Sequence, residues 1–429
     1  MKSSTTYHLT LLCCAALLML PGSYCRLVGL HCSPPLTTLL SGLAILGAAF
    51  ILLWACDAAQ ADISQALALA VVALIAVLPE YAVDMYFTWQ AGKHPAYAHF
   101  AIANMTGANR LLIGVAWVVV VIIFWCKTRQ PVRIEKERRT ELLFLGLATA
   151  YAFVVTIKGQ LAWYDGVVFL GIYVWYITVA GRRPCVECET EGPAQLLLSL
   201  RAHPRRLATL GMFLVSAGAI LANARPFSEG LIQTGHVLHV SQFLLVQWLA
   251  PVASEAPEFI VAIIFALRGK AGLALGSLLS AKLNQWTLLV GMIPGVYAVS
   301  HGGLAHSIPM DAFQMHEIFL TAAQSLLAVM LLATLRLNIG QALLLFGLFI
   351  GQLVTPYLVQ LFPHLAFLGL YGDKVHELFS VMYLVAALTL FLDNPKRLAD
   401  LWLGHKVTPC PCKIMRTEPI WLEHRVAPR

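Results

Sequence analysis

The chain has 429 residues, of which 59% are hydrophobic and only 12% charged, with a formal net charge of +7. A soluble domain carries about one quarter charged residues, so this composition excludes a soluble globular protein and points to an all-α polytopic membrane protein whose excess apolar side chains face lipid. It also argues against nucleic-acid binding, because no module with a concentrated basic face is visible.

In chain order, the run Leu9 to Leu20 comes first. It is short for a span and preceded by only one basic residue, Lys2, so residues 1–30 read as a signal-like segment or an additional helix, with the signal reading favoured. Apolar stretches suited to spans follow at 36–56, 63–91, 96–126, 141–157, 162–180, 207–223, 236–268, 271–300, 312–335, 339–361 and 374–391. Two of them carry the same interruption. Ile75-Ala76-Val77-Leu78-Pro79-Glu80 and Ala253-Ser254-Glu255-Ala256-Pro257-Glu258 each place a proline and a carboxylate in mid-membrane. An interior proline removes a backbone donor and frees the carbonyl four residues earlier, here Ile75 and Ala253. Such backbone survives at that depth only where protein or a watery cavity surrounds it, so both spans are expected to be broken helices lining a site.

Basic residues set the orientation. Lys127 to Arg139 holds six of them, and Arg182, Arg183, Arg201, Arg205 and Arg206 flank a second hydrophilic loop; both are expected in the cytoplasm. Arg268 and Lys270, Arg336, and Lys396 and Arg397 then fall on the same side, while the opposite loops hold isolated cations such as Lys93, Lys158 and Arg225. With this orientation the two Pro-Glu spans cross in opposite senses. Two inverted five-helix repeats, 36–180 and 207–361, are therefore expected, joined by a cytoplasmic linker 181–206 and followed by an additional span 374–391 and a cytoplasmic tail 392–429. The expected location is a plasma (inner) membrane with a cytoplasmic C-terminus.

Ionisable residues inside spans usually face a cavity or one another. Glu80 and Asp84 are four apart, and Glu255 and Glu258 three apart, so each pair shares a helix face. A hard cation such as calcium takes six to eight oxygens from carboxylates, amides and carbonyls, and the carboxylates with the freed carbonyls offer them.

These residues carry a resemblance. Leu78-Pro79-Glu80, with Ala101-Ile102-Ala103-Asn104 and Gly107-Ala108-Asn109, resembles the first α-repeat of the calcium/cation antiporter superfamily, which includes sodium/calcium and calcium/proton exchangers. Ser254-Glu255-Ala256-Pro257-Glu258, with Ala274-Leu275-Gly276-Ser277 and Ser280-Ala281-Lys282-Leu283-Asn284, resembles the second. The resemblance implies that Glu80 and Glu258 are the central metal ligands, with Asp84, Glu255, Ser254, Asn104, Asn109 and Asn284 as further cation-binding candidates. It implies no cofactor beyond the transported Ca2+ or Na+, and as partners only the bilayer, small cations and protons.

The departures are specific. Ala76 and Val77 stand where the family usually has hydroxyl residues, Lys282 where it most often has asparagine or an acid, and Arg110 follows Asn109. Lys282 and Arg110 are thus coupling or ion-pair candidates, with Asp84 or Glu80 as the expected partner of Arg110. Glu80 lies 29 residues before Asn109 but Glu258 only 24 before Lys282, so counting leaves open whether Asn104 or Asn109 is the counterpart of Lys282. Asp84, Glu255 and Lys282 read equally as ion-paired scaffold, and Asn104, Asn109, Asn284 and Gln285 as interhelical hydrogen-bonding groups.

Cys185-x-x-Cys188 and Cys410-x-Cys412 could together bind zinc, but surface thiols are the plainer reading. His236, His239, His301, His306 and His316 gather at the expected outer ends of spans. Neither His316-Glu317 nor His376-Glu377 is followed by a second histidine at helical spacing, so the zinc-peptidase signature is absent, as is a nucleotide-binding loop. With no nucleophile and base pairing either, an intramembrane enzyme is disfavoured. The remaining readings are a secondary cation antiporter, preferred and expected to use protons, and a cation channel.

Overall fold

A computed structural model describes residues 2–30, 32–63, 75, 77–181, 192–303, 306–361 and 372–395. The cysteine pairs 185/188 and 410/412 lie outside the described residues, as does Ala76. Ten described helical stretches are long and apolar enough to cross a bilayer.

Helix α1 (Lys2–Val28) turns at Gly29, whose φ of +74° favours glycine, and passes into α2 (Pro34–Ala59). The two cross closely: a Cβ at Gly22 would stand 2.4 Å from the Leu40 carbonyl oxygen, and one at Gly47 2.4 Å from that of Ala15. Small residues at such crossings let backbones approach in lipid. Residues 2–28 are thus helical and packed on α2.

The first half continues with α3 (Leu78–Lys93), α4 (Ala98–Leu111), a π-helical turn Leu112–Ala116, α5 (Trp117–Thr128), α6 (Arg139–Lys158) and α7 (Trp163–Ala180). The second half holds α8 (Ala202–Leu238), a π-helical turn Leu245–Leu249, α9 (Ala250–Leu267), α10 (Ala271–Asn284), a π-helical turn Gln285–Leu289, α11 (Val290–His301), α12 (Ala312–Leu332) and α13 (Ile339–Leu361). Helix α14 (Gly372–Asp393) is the additional span.

Two expectations need correction. Pro79 sits in the first turn of α3, where a missing N–H is harmless. Pro257, however, lies inside the continuous α9, so the second Pro-Glu span is not broken at Ala253–Glu258. A membrane helix tolerates one lost backbone bond when neighbours pack around it, and the irregular turn falls upstream at Leu245–Leu249 instead. Helix α8 runs 37 residues, well past the expected end at 223. Its polar middle stays helical because Arg225 pairs with Glu229 at 3.1 Å and Tyr86 of α3 donates to Glu229 at 2.5 Å.

The repeat is exact over its central rod. Starts at 98 and 271, 112 and 285, and 117 and 290 each differ by 173, and the three segments have equal lengths of 14, 5 and 12 residues. This register makes Asn109 the counterpart of Lys282 (282 − 109 = 173) and leaves Asn104 opposite Ser277. Glu80 and Glu258 differ by 178, the extra five residues being the longer connection after Glu258's counterpart in the first half.

Contacts establish the inversion. Lys127 donates to the Leu267 carbonyl, joining the end of α5 to the end of α9. Ser300 donates to the Trp89 carbonyl at 2.6 Å, and His301 Nδ1 lies 3.0 Å from the Gly92 carbonyl, joining the end of α11 to the end of α3. Positions 127 and 267 map onto 300 and 89 by the same two offsets. The Pro-Glu helices thus end on opposite faces. Short backbone pairings tie the halves at both faces: strand β1 (Val132–Arg133) with strand β2 (Arg336–Leu337) on one, Leu161 with Ile308 on the other.

Outside the spans, Asp62 is clamped by Arg205 at 2.7 Å and Arg206 at 3.0 Å. Hydrogen bonds from Arg205 above all hold its carboxyl well below the usual carboxylate range. A depressed carboxyl contributes stability above its unfolded value of about 3.9 and loses it only as pH falls through the lower folded value. Asp62→Asn is therefore expected to lower the melting temperature by the same amount at pH 5 and pH 8; a difference between the two would contradict this clamp.

Candidate functional site

The Pro-Glu segments converge on a small cavity of about 10 Å³, room for one water-sized sphere. It is lined by Val77, Pro79, Glu80 and Leu112 from the first half and Ser254, Glu255, Glu258, Ala281 and Gln285 from the second. The lining is symmetric in Glu80 and Glu258 but not beyond. Glu255 corresponds to Val77 (255 − 178) and Gln285 to Leu112 (285 − 173), so one wall is polar and the other apolar.

Gln285 begins the π-helical turn after α10 and donates to both Glu80 Oε2, at 3.1 Å, and Glu255 Oε1, at 2.8 Å. One amide therefore ties the carboxylates of α3 and α9 together. Four buried oxygens of lining residues have no hydrogen-bond partner: Glu80 Oε1, Glu255 Oε2, Glu258 Oε2 and Gln285 Oε1. Buried oxygens are normally satisfied, and a hard cation takes such a donor set. Among the described residues no three His, Cys, Asp or Glu side chains already converge at ligand distance, so a bound cation would draw the oxygens inward.

Other expected site residues separate into neighbouring groups. Ser254 lines the cavity, but its hydroxyl donates to the Ala250 carbonyl at 3.2 Å. Asp84, fully buried, accepts from Asn104 at 3.1 Å, so these two pair with each other outside the cavity lining. Lys282 donates to Asn109 Oδ1 at 2.7 Å and lies 4.6 Å from the centre of the Trp286 ring. Being counterparts, Lys282 and Asn109 meet across the pseudo-two-fold axis. The expected partners of Arg110, Asp84 or Glu80, are wrong: its guanidinium pairs with Glu317 of α12, because the arginine projects from the opposite flank of α4. Asn284 is buried but is not part of the cavity wall.

Two features escaped the sequence reading. Gln285 was read only as an interhelical hydrogen-bonding group, and Glu317 only as half of a failed zinc motif. Glu317 carried a signal nonetheless, being a carboxylate in an apolar span. Gln285→Leu copies Leu112 into the second half and removes the bridge. It is expected to lower apparent cation affinity roughly tenfold to a hundredfold, the range for partners that orient ligands, with maximal rate retained. Initial-rate measurements over a cation series check this; an unchanged half-saturating concentration would count against the bridge.

Opposed helical repeats meeting at buried carboxylates define an ion exchanger of the membrane. The chain belongs to the sodium/calcium exchanger protein family, which it matches over residues 33–181 and 208–358. It is similar to the crystal structure of an H+/Ca2+ exchanger, CAX, with 39% identity and a TM-score of 0.86 over 93% of this chain and 98% of that one. A sodium-calcium exchanger, NCX_Mj, soaked with Na+ and Sr2+ is 22% identical with a TM-score of 0.50, over 74% of this chain and 96% of that one, and shares the fold. An uncharacterized membrane protein of Methanocaldococcus jannaschii is 23% identical over 260 residues, 60% of this chain and 78% of that protein. The protein is a multi-pass membrane cation exchanger.

Proposed function

We propose that the protein exchanges Ca2+ for H+ by exposing the Glu80/Glu258 cavity alternately to the two sides of the membrane, with Glu255, Gln285 and Ser254 completing the site. The observation that carries this reading is the group of four unpartnered oxygens around a one-ion cavity between opposed helices. Among the described residues none of the three cavity glutamates has an ion-pair partner, and Lys282 Nζ is directed to Asn109. Buried charge without a partner is strongly unfavourable, so this site calls for positive charge from outside, which a dication or protons supply. The similarity to an H+/Ca2+ exchanger favours that pairing. The basic residues of the loops 127–139 and 333–338 support an orientation with both in the cytoplasm.

The test is radiotracer uptake of Ca2+ and Na+ into proteoliposomes with imposed pH or sodium gradients. Ca2+ uptake driven by a pH gradient and accompanied by counter-flow of protons is expected. Uptake driven by a sodium gradient alone would replace the proton by Na+, and flux uncoupled from any counter-ion would make the protein a channel.

A further inference from the structure

Glu317 of α12 is fully buried and lies outside the cation cavity. Its Oε2 pairs with the Arg110 guanidinium and accepts from Gln247 at 2.7 Å and from Thr106 at 3.3 Å. Its Oε1 lies 2.8 Å from His376 Nε2 on the additional helix α14. Arg110 is 1% exposed and stacks over Trp248 at 5.2 Å.

The two halves fill these positions differently. Under the repeat, Thr106, Arg110 and Glu317 correspond to Leu279 (106 + 173), Leu283 (110 + 173) and Phe144 (317 − 173). All three are buried, where α10 packs on α6 as α4 packs on α12. The same three positions are thus apolar in the other half. A buried ion pair is often no more stabilising than apolar residues of similar volume, so packing alone does not account for the charges.

The surrounding titratable groups are few. From α14 come His376 and Tyr383, the latter within electrostatic range of Arg110, and Glu377, which lies 3.4 Å from His316 of α12. Helix α6 also packs on α12, but its Tyr151 and Lys158 are engaged with Asp165. His376 packs edge-on against Phe313, and its side chain is 12% exposed. On the other flank, Arg110 directly follows Asn109, which holds Lys282, and Arg110 and Lys282 feel each other electrostatically.

We propose that Glu317 and His376 form a second proton-binding site, coupled through Arg110 to the cation site; this deepens the proton-exchange reading above and rests on it. His376 exchanges protons with water. Transfer inward breaks the imidazolium Nε2–H bond and forms an O–H bond at Glu317 Oε1, leaving a neutral imidazole and a neutral acid. Arg110 then loses its counter-charge, and its field opposes a cation at Glu80, Glu255 and Glu258. Proton and cation oppose each other without sharing a ligand, and the linkage is reciprocal.

The experiment compares wild type, Glu317→Gln and His376→Asn, each full-length in proteoliposomes, by the half-saturating Ca2+ concentration across pH. In wild type this concentration should rise as pH falls. Glu317→Gln mimics the neutral acid and should hold it near the acid value at every pH, about tenfold above wild type at alkaline pH, within the usual range of coupling. His376→Asn should displace the pH profile. A lower rate with the wild-type pH profile in both variants would overturn the proposal and make the cluster scaffold. If Glu317→Gln fails to insert because Arg110 is left unpaired, His376→Asn at the cluster's edge decides between the same two outcomes. Wild type without proton-coupled flux would instead overturn the exchange reading; calorimetric Ca2+ binding to solubilised protein at two pH values then tests the linkage on its own, and pH-independent binding would refute it.

Discussion

Glu80→Gln and Glu258→Gln are each expected to abolish exchange while leaving a correctly inserted protein. The substitution keeps the side chain's volume and replaces one carboxylate oxygen by an amide nitrogen that cannot ligate a cation. Each glutamate also has one oxygen with no partner inside the protein, so no internal hydrogen bond at that oxygen is lost. The fall in transport should be roughly hundredfold or more, beyond the tenfold to hundredfold loss typical of groups that only orient ligands. A loss of at least this size is expected at both Glu80 and Glu258, because the repeat places one on each Pro-Glu helix at the cavity. Full transport by either variant, with normal elution on size exclusion, would remove that residue from the site.

The largest effect on stability is expected at Gly107. A Cβ there would stand 1.9 Å from the Gln247 carbonyl oxygen, and that oxygen belongs to a backbone turn rather than a flexible side chain. Gly107→Ala must therefore push α4 away from the turn at Leu245–Leu249. That motion also strains the 2.7 Å bond from Gln247 to Glu317. Overpacking of this kind destabilises by about 1–3 kcal/mol, and more where backbone has to move. Gly107→Val should leave little folded protein. Thermal unfolding in detergent reads the difference; a melting temperature equal to wild type for Gly107→Ala would show that the two elements part freely.

Much of this was legible in the amino-acid sequence because bilayer physics leaves few options. Apolar run lengths gave α2, α6, α7 and α12 to within a few residues, and the Pro-Glu pairs marked the cavity that now holds Glu80, Glu255 and Glu258. The sense of the two Pro-Glu helices followed from loop charge and agrees with the contacts at Leu267 and Trp89. What was not legible depends on rotation of a helix about its own axis. Arg110 and Asn109 are adjacent in sequence yet face Glu317 and Lys282 respectively, and no spacing rule assigns those partners. The helix break at Pro257 failed for a related reason, since a proline states which bond is missing but not whether neighbouring packing keeps the rod straight. The register of the repeat was ambiguous by counting and became plain only from the matched π-helical turns.

The meeting of Asn109 with Lys282 restricts how such a protein can be built. Two identical halves assembled as a homodimer would place every residue at this point against its own copy. Asparagine tolerates that, because each amide can donate to the other and accept from it. Lysine does not: two ammonium groups at hydrogen-bonding distance in a dry interior repel and offer no acceptor. A lysine here therefore requires that the two halves differ at this position. Divergence of the two halves, in this protein, is what lets a lysine at the symmetry axis face an asparagine that accepts its hydrogen bond.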